Sequence, residues 1–257
     1  MNGTKLSVVL ATRNEEANLA KCLESVKGIA DEIVVADEKS ADGTVQLARK
    51  FGAKVISVPH QDNFHITKNI AIDVATGEWI LQLDADEVVS PELAKEITSI
   101  IKNTKYSGFW LNRKNWFLGR FLTKGGQYPD PTLRLYRKGL GRLPAKDVHE
   151  QAEVEGKVGE LKADLIHYRD ISFSKYLEGF NRYSSFISSQ LESKKASFNI
   201  LNTLNYLVIK PSQSFVKIFF RHQGYVDGFP GLIFALFSGL IHPIAYIKYW
   251  QHKYHPA

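Results

Sequence analysis

Residues 79–87, WILQLDADE, pass from an apolar, β-prone run into three carboxylates within four positions. Trp79 to Asp84 reads as a strand, and acids at the carboxyl end of a strand stand where an open parallel sheet binds its ligands. Carboxylates spaced like Asp84 and Asp86 can present oxygen to a hard divalent cation, Mg2+ or Mn2+. Such an ion takes few protein carboxylates and completes its shell from water and substrate phosphates. Two acids in a turn are most often simply solvated, so the weight of the motif rests on what surrounds it.

Upstream, LSVVLAT (Leu6 to Thr12), IVVAD (Ile33 to Asp37) and KVISV (Lys54 to Val58) form three earlier strands, which makes WILQLD the fourth. Between the first two, Leu19, Cys22, Leu23 and Val26 recur at helical spacing, so Cys22 reads as a core residue. DGTVQLARKFG and a segment from Lys68 to Ala75 supply the next helices, with Gly52 and Gly77 at their C-caps. Ser90 caps a fourth helix that Pro91 opens. Strands alternating with helices predict an α/β fold with a mostly parallel sheet. The first strand ends in Thr12-Arg13-Asn14-Glu15-Glu16, the second in Asp37-Glu38-Lys39-Ser40 and the fourth in the acidic pair. Polar groups at three strand ends on one edge are what a nucleotide pocket requires.

The chain has 257 residues, 44% of them hydrophobic and 23% charged, enough for a buried core and unlike a disordered chain. A single cysteine permits no intramolecular disulfide and suits a reducing compartment. The short apolar run near the N-terminus predicts no signal peptide, and the expected location is cytoplasmic. The net charge of +6 is uneven: residues 1–100 hold 10 basic and 16 acidic residues, and residues 101–150 hold 11 and 3. A basic middle fits an anionic lipid surface or a phosphorylated substrate. No zinc-finger spacing or basic helix with stacking aromatics supports a nucleic-acid partner.

After Lys102 the chain turns aromatic and basic. Leu133 and Leu135 alternating with Arg134 and Tyr136 predict a half-buried strand. Arg134 and Arg137, three apart, cannot share a face of one straight strand, so at most one is expected at the phosphates, the other serving an anionic acceptor, and Asp130 is grouped with them as an acceptor or phosphate residue. From Ser172 helical patterns return. The apolar stretch Phe229 to Trp250 is interrupted by Gly231, Ser238, Gly239, His242 and Pro243, which favours an interfacial anchor, with a buried core helix pair as the second reading and a membrane span as the third. Leu232, Phe234, Leu236, Phe237, Leu240 and Ile241 are its expected lipid-facing residues.

The residues at this point resemble the family-2 glycosyltransferases of the GT-A type. SVVLATRNEE, VVADEKSADGT, Lys68-Asn69 before Ala75-Thr76-Gly77-Glu78-Trp79, and LDADE carry the likeness over residues 5–100. GGQYPDPTLRLYRKG, Val148-His149-Glu150, the Gly156 to His167 segment and Gly224-Tyr225-Val226-Asp227-Gly228 extend it toward the subgroup typified by the lipopolysaccharide-core β-1,4-glucosyltransferase. In place of the family's usual Asp-Asp or Asp-Ser followed by Gly-Ser, the chain has Asp37-Glu38-Lys39-Ser40.

The resemblance implies a Rossmann-like GT-A domain over residues 1–168, with 1–102 for the nucleotide sugar and 103–168 for the acceptor. Residues 169–257 then form a helical, membrane-associated extension. It implies inverting transfer from a nucleotide sugar, UDP-glucose or similar, to a lipid-linked or lipopolysaccharide-core saccharide at the cytoplasmic face of the inner membrane. Thr12, Arg13, Glu15, Asp37, Glu38, Lys68 and Asp84 are the implied donor contacts. Asp86 is the implied metal ligand, joined by Asp84 and His149, and Glu150 the implied general base with Asp130 and Asp147 as rivals. Two other classes compete. A nucleotidyltransferase would show a Gly-rich phosphate loop after the first strand, which Ala11 to Glu15 lacks. A non-catalytic carbohydrate-binding scaffold would be expected to have lost Asp86 or Glu150, and both are present.

Overall fold

The computed structural model describes residues 5–61, 63–145, 151–170 and 172–255. The chain divides into two compact units, Met1–Arg113 with Asp130–Tyr168, and Lys114–Pro129 with Arg169–Ala257.

The first unit is built on β1 (Leu6–Thr12), α1 (Glu16–Val26), β2 (Glu32–Asp37), α2 (Thr44–Lys50), β3 (Lys54–Ser57), α3 (Phe64–Val74), β4 (Trp79–Leu83), β5 (Glu87–Val89) and α4 (Pro91–Ile100). β6 (Gly108–Phe117), β8 (Asp130–Arg137), β9 (Gly141–Arg142), β10 (Glu153–Val154) and β11 (Val158–Asp170) follow, while the short β7 (Arg120–Phe121) belongs to the second unit. Among the described residues the main sheet runs β3-β2-β1-β4-β8-β6-β11-β5, with β7 added at β6. β3, β2, β1 and β4 are parallel; β8 then pairs antiparallel with β4, and β5 with β11. The order reverses at β1, which lies between β2 and β4, so the carboxyl ends of these strands open the crevice in which such sheets bind ligands.

Period-two alternation explains why β1 is buried on both faces. Leu6, Val8 and Leu10 join one core with Leu19, Cys22, Leu23 and Val26 of α1, while Val9 joins the opposite core with Ala71 and Ile72 of α3. Each leucine so covered contributes roughly 1.5–3 kcal/mol. Ser90 Oγ accepts from Leu93 N at 3.2 Å, and Pro91 opens α4 as its sequence predicts.

Three expectations change. α3 begins at Phe64, four residues before Lys68, because Asn63 supplies the cap and accepts from His65 N at 2.9 Å. Gly77 caps no helix: a Cβ there would lie 2.7 Å from Ser7 Oγ and 2.8 Å from Ser7 N, so it is the close approach to β1 that requires glycine. β8 is not half-buried, since Leu133, Arg134, Leu135 and Tyr136 are all buried. Leu135 lies in one core, Leu133 and Tyr136 lie in the other, and Arg134 is covered through its ion pairs to Asp84 and Glu87.

The second unit holds α5 (Phe173–Ser193), then α6 (Ile200–Leu204) and α7 (Lys210–Val216), each followed by a π-helical turn, and α8 (Gly228–Tyr254). α8 is one continuous helix, long and apolar enough by length and composition to cross a membrane. The residues expected to interrupt it do not. Gly231 is accommodated because a side chain there would overlap the carbonyl oxygen of Gly224, and Ser238 Oγ bonds Phe234 O within the helix at 2.7 Å. Phe234 and Phe237 are internal residues, not lipid-facing ones: Phe234 meets Phe117 at 5.9 Å, and Phe237 meets Phe173, Tyr176 and Phe180 at 5.4–5.6 Å between ring centroids. Asp227, buried ahead of α8, accepts from Thr123 N, Thr123 Oγ1 and Lys124 N and pairs with Arg120 at 3.3 Å. One carboxylate thus ties the Arg120–Lys124 loop to the helix, which gives the GYVDG segment a structural reason.

Candidate active site

β4 ends at Leu83, and the chain turns through Asp84, Ala85 and Asp86 before pairing again as β5. Glu87 N donates to Asp84 O at 3.0 Å, and Asp84 N donates to Glu87 Oε2 at 2.9 Å, which fixes the turn. The Cys22 thiol touches Asp84 O from below at 3.5 Å. Burial first, then the charges of Glu87, Asp86 and Asp84, push that thiol well above its usual range, so it is a packing group and not a nucleophile.

The two acids of the motif have different surroundings. Asp84 Oδ1 lies 2.5 Å from Lys68 Nζ and its Oδ2 2.5 Å from Arg134 Nη2. Burial would raise the Asp84 pKa, but Arg134 and Lys68 outweigh it and hold the carboxyl far below the usual range. Burial pulls the Lys68 ammonium down, against Asp84. Arg134 Nη2 also bonds Glu87 Oε1 at 2.8 Å, and Arg113 reaches Glu87 at 3.5 Å and Asp130 at 2.8 Å. With its amide oxygen turned inward, Gln82 accepts from both Arg134 and Lys68. The result is a ladder of alternating charge, Lys68–Asp84–Arg134–Glu87–Arg113–Asp130. Asp86 stands outside it: among the described residues no lysine or arginine pairs with it, and its one ionic neighbour is His167, with Nε2 3.4 Å from Oδ2. β11 brings that imidazole in, through the register His167↔Glu87 and the bond from Tyr168 N to Asp86 O at 2.9 Å.

Across the crevice, Asp37 at the end of β2 is buried and accepts from Thr12 Oγ1 at 2.9 Å, Ser40 N at 2.9 Å and Ser40 Oγ at 2.5 Å. Ser40 therefore does the anchoring within the departing Asp-Glu-Lys-Ser sequence. Glu38 accepts from Thr67 Oγ1 at 2.6 Å and lies 2.5 Å from His60 Nδ1, while Arg13 Nη1 approaches the same ring at 3.0 Å. Arg13 and Glu38 thus meet through His60. Glu15, at the start of α1, accepts from Asn18 Nδ2 at 3.0 Å, and its N–H donates to Thr44 Oγ1 at 2.8 Å.

Strand ends of β1, β2 and β4 and the first turns of α3 bring together Thr12, Arg13, Asp37, Glu38, Lys68, Asp84 and Asp86, with Arg134 from β8. Arg137 is not among them: it lies over the Trp79 ring at 4.8 Å and donates to Thr104 O at 3.1 Å. Asp147, His149 and Glu150 lie outside the described residues. His167, His60 and Glu87 carry site geometry without having been assigned a role from sequence. Their signals were slight: His60 follows the carboxyl end of β3, Glu87 completes LDADE, and His167 closes the segment that begins at Gly156.

The family model for glycosyl transferase family 2 matches residues 7–151. An uncharacterized glycosyltransferase of Rickettsia typhi is 28% identical over 241 residues, covering 89% of this chain and 81% of its own length. The lipopolysaccharide core biosynthesis glycosyltransferase LpsC of Rhizobium meliloti is 26% identical over 249 residues, 91% of this chain and 90% of its own. Among solved structures, the mannosyltransferase PcManGT from Pyrobaculum calidifontis, in complex with GDP-Man and Mn2+, aligns with a TM-score of 0.54 at 12% identity, over 98% of this chain and 89% of that one. TarS 1-349 of S. aureus, in complex with UDP, gives 0.53 at 18% identity, over 98% and 93%. These neighbours share the GT-A fold, as the sequence leads one to expect.

Proposed function

The chain belongs to glycosyl transferase family 2, and from that premise we propose that it moves a sugar, with inversion, from a UDP sugar such as UDP-glucose to a saccharide of the lipopolysaccharide-core type carried on lipid. The acceptor class is supported by the name of the Rhizobium relative, and the nucleotide by the UDP complex among the structural neighbours. One observation carries the reading. At the crevice of the sheet, Asp84 is paired with both Lys68 and Arg134, while Asp86 faces the His167 imidazole at 3.4 Å.

That contrast fits a divalent ion. Among the described residues no ammonium or guanidinium pairs with Asp86, and its carboxylate with the His167 imidazole forms a mixed oxygen and nitrogen donor set, which suits Mn2+ better than Mg2+. Asp86 and His167 are the residues that would hold it. When bound, the ion would neutralise the diphosphate of the donor. Asp84 takes the other task, fixing Lys68 and Arg134 as positive groups near the phosphates. Asp37, immobilised by Thr12 and Ser40, holds an acceptor oxygen in place for the N–H of the base.

In the transfer, the acceptor hydroxyl oxygen bonds to the anomeric carbon as the bond from that carbon to the diphosphate breaks. The hydroxyl proton passes to a carboxylate, assigned to Glu150 on the family likeness, and the nucleoside diphosphate leaves with the bonding pair. Incubation with a panel of UDP, GDP and ADP sugars, a core-type oligosaccharide, and Mn2+, Mg2+ or EDTA tests the proposal. Mass spectrometry of the product and release of UDP are expected with a UDP sugar and Mn2+. UDP release that is equal in EDTA would refute the metal assignment, and product formed from a GDP or ADP sugar but from no UDP sugar would refute the donor.

A further inference from the structure

We infer that the second unit seats the protein on an anionic lipid bilayer through the outward faces of α8 and of the helical run 200–221. In α8 the exposed residues Leu232, Leu236, Leu240, Ile247, Trp250 and Tyr254 recur every three or four positions, or at seven, and so lie along one face. The adjoining face is closed. Gly231, Ala235, Gly239, Tyr246 and Tyr249 are buried, and α8 packs on α5 and α7. In the run 200–221 the inward residues serve α8: Tyr206 stacks on Tyr246 at 4.9 Å, and Ser214 Oγ lies 2.9 Å from His242 Nε2. Its outward residues Leu201, Leu204, Val208, Val216 and Phe220 are half or more exposed, Leu201 by 78%. Two apolar stripes on neighbouring helices far exceed the scattered exposure ordinary for a soluble surface.

Charge selects the occupant. Residues 194–257 contain seven lysines and arginines and one acid, Asp227, which is buried against the 120–124 loop. Lys217 and Arg221 are exposed on the same run as the apolar stripe. A second copy would bring like charge against like, whereas an anionic leaflet complements both the cations and the apolar groups. Trp250, Lys253 and Tyr254 at the end of α8 are residue types that settle at headgroup level. The unit lies on the bilayer and does not cross it: only one face of α8 is open, and Lys248 Nζ is held on the covered side by Asn181, Ser184 and Ser185. Crossing would carry these polar groups into hydrocarbon. The inference does not depend on the donor or the metal, since all its residues lie in the second unit.

The test is flotation of the full chain with vesicles of phosphatidylcholine alone and with added phosphatidylglycerol, in low and high salt. The wild type should float with the phosphatidylglycerol vesicles and in part withstand salt. K217E with R221E should lower partitioning about tenfold or more. L236S with L240S should leave a binding that high salt abolishes. Unchanged melting and far-UV circular dichroism in these variants establish that the fold is intact. Failure of the wild type to float in low salt, or equal flotation of all variants, would overturn the inference. A dimer in light scattering that L236S with L240S dissolves would assign the face to a second copy instead, and resistance to alkaline carbonate would assign α8 to a span.

Discussion

His167 Nε2 lies 3.4 Å from Asp86 Oδ2, although the two residues are 81 positions apart in sequence and meet because β11 pairs with β5. The same pairing sets Glu87 opposite His167, and Glu87 bonds Arg134, so the site holds one acid paired with a lysine and an arginine, Asp84, and one, Asp86, that among the described residues pairs with neither.

Arg134 is the hinge of that separation. Arg134→Met leaves Glu87 fully buried without its closest charge partner and Asp84 with Lys68 alone. Removing one partner of a buried ion pair costs about 3–5 kcal/mol. Urea unfolding of the variant is expected to show a loss of that size, and an unchanged midpoint would contradict the ladder.

Glu32 ties β2 to the start of β4. It accepts from Ser7 Oγ at 2.5 Å and Thr76 N at 2.7 Å. Burial raises its pKa, but the bonds from Ser7 and Thr76 outweigh that, and the net shift is downward. A depressed folded value means that its stabilisation is present above the unfolded pKa of about 4.3 and is lost as pH falls through the folded one. Glu32→Gln should lower the melting temperature at pH 7 by about 2–6 °C. The gap between the two proteins should close under acid conditions, and a gap constant with pH would contradict the assignment.

Asp227→Ala strips the Arg120–Lys124 loop of its acceptor and leaves Thr123 N and Lys124 N without that partner. Trypsin should then cut after Arg120 or Lys124 at least about tenfold faster than in the wild type, since a buried, hydrogen-bonded charge is worth several kcal/mol to the segments it joins. An unaltered digestion pattern would show that the loop is held by other contacts.

Glu150→Gln keeps shape but cannot take a proton. Acceptor-dependent turnover is expected to fall by about 10²–10⁴ with donor binding unchanged. Retained turnover would move the base to Asp147 or Asp130, and of these Asp130 is already paired with Arg113.

The strands of the parallel half were legible because their burial is local and periodic: β1 spans Leu6–Thr12 as read, and α1 buries the four residues that its spacing selects. The acidic turn and the polar strand ends were legible for the same reason. What escaped depends on distant partners. His167 reaches the site through an antiparallel register that no local pattern encodes. Arg134 looked like the exposed half of an alternating strand because its burial rests on Asp84 and Glu87, far away in sequence. α8 looked broken because the need for glycine at position 231 is set by the backbone at Gly224. Phe237 looked lipid-facing because apolarity alone does not distinguish a residue packed against Phe173 and Phe180 from one left open.

The most direct test of the account is a titration of Mn2+ into the UDP-bound protein, followed by electron paramagnetic resonance, for the wild type, Asp86→Ala, His167→Ala and Asp84→Asn. The wild type should bind one ion, both Asp86→Ala and His167→Ala should weaken it by about 10-fold or more, and Asp84→Asn should change it far less. Full Mn2+ affinity in Asp86→Ala or His167→Ala, or its loss chiefly in Asp84→Asn, would contradict the division of labour between the two acids.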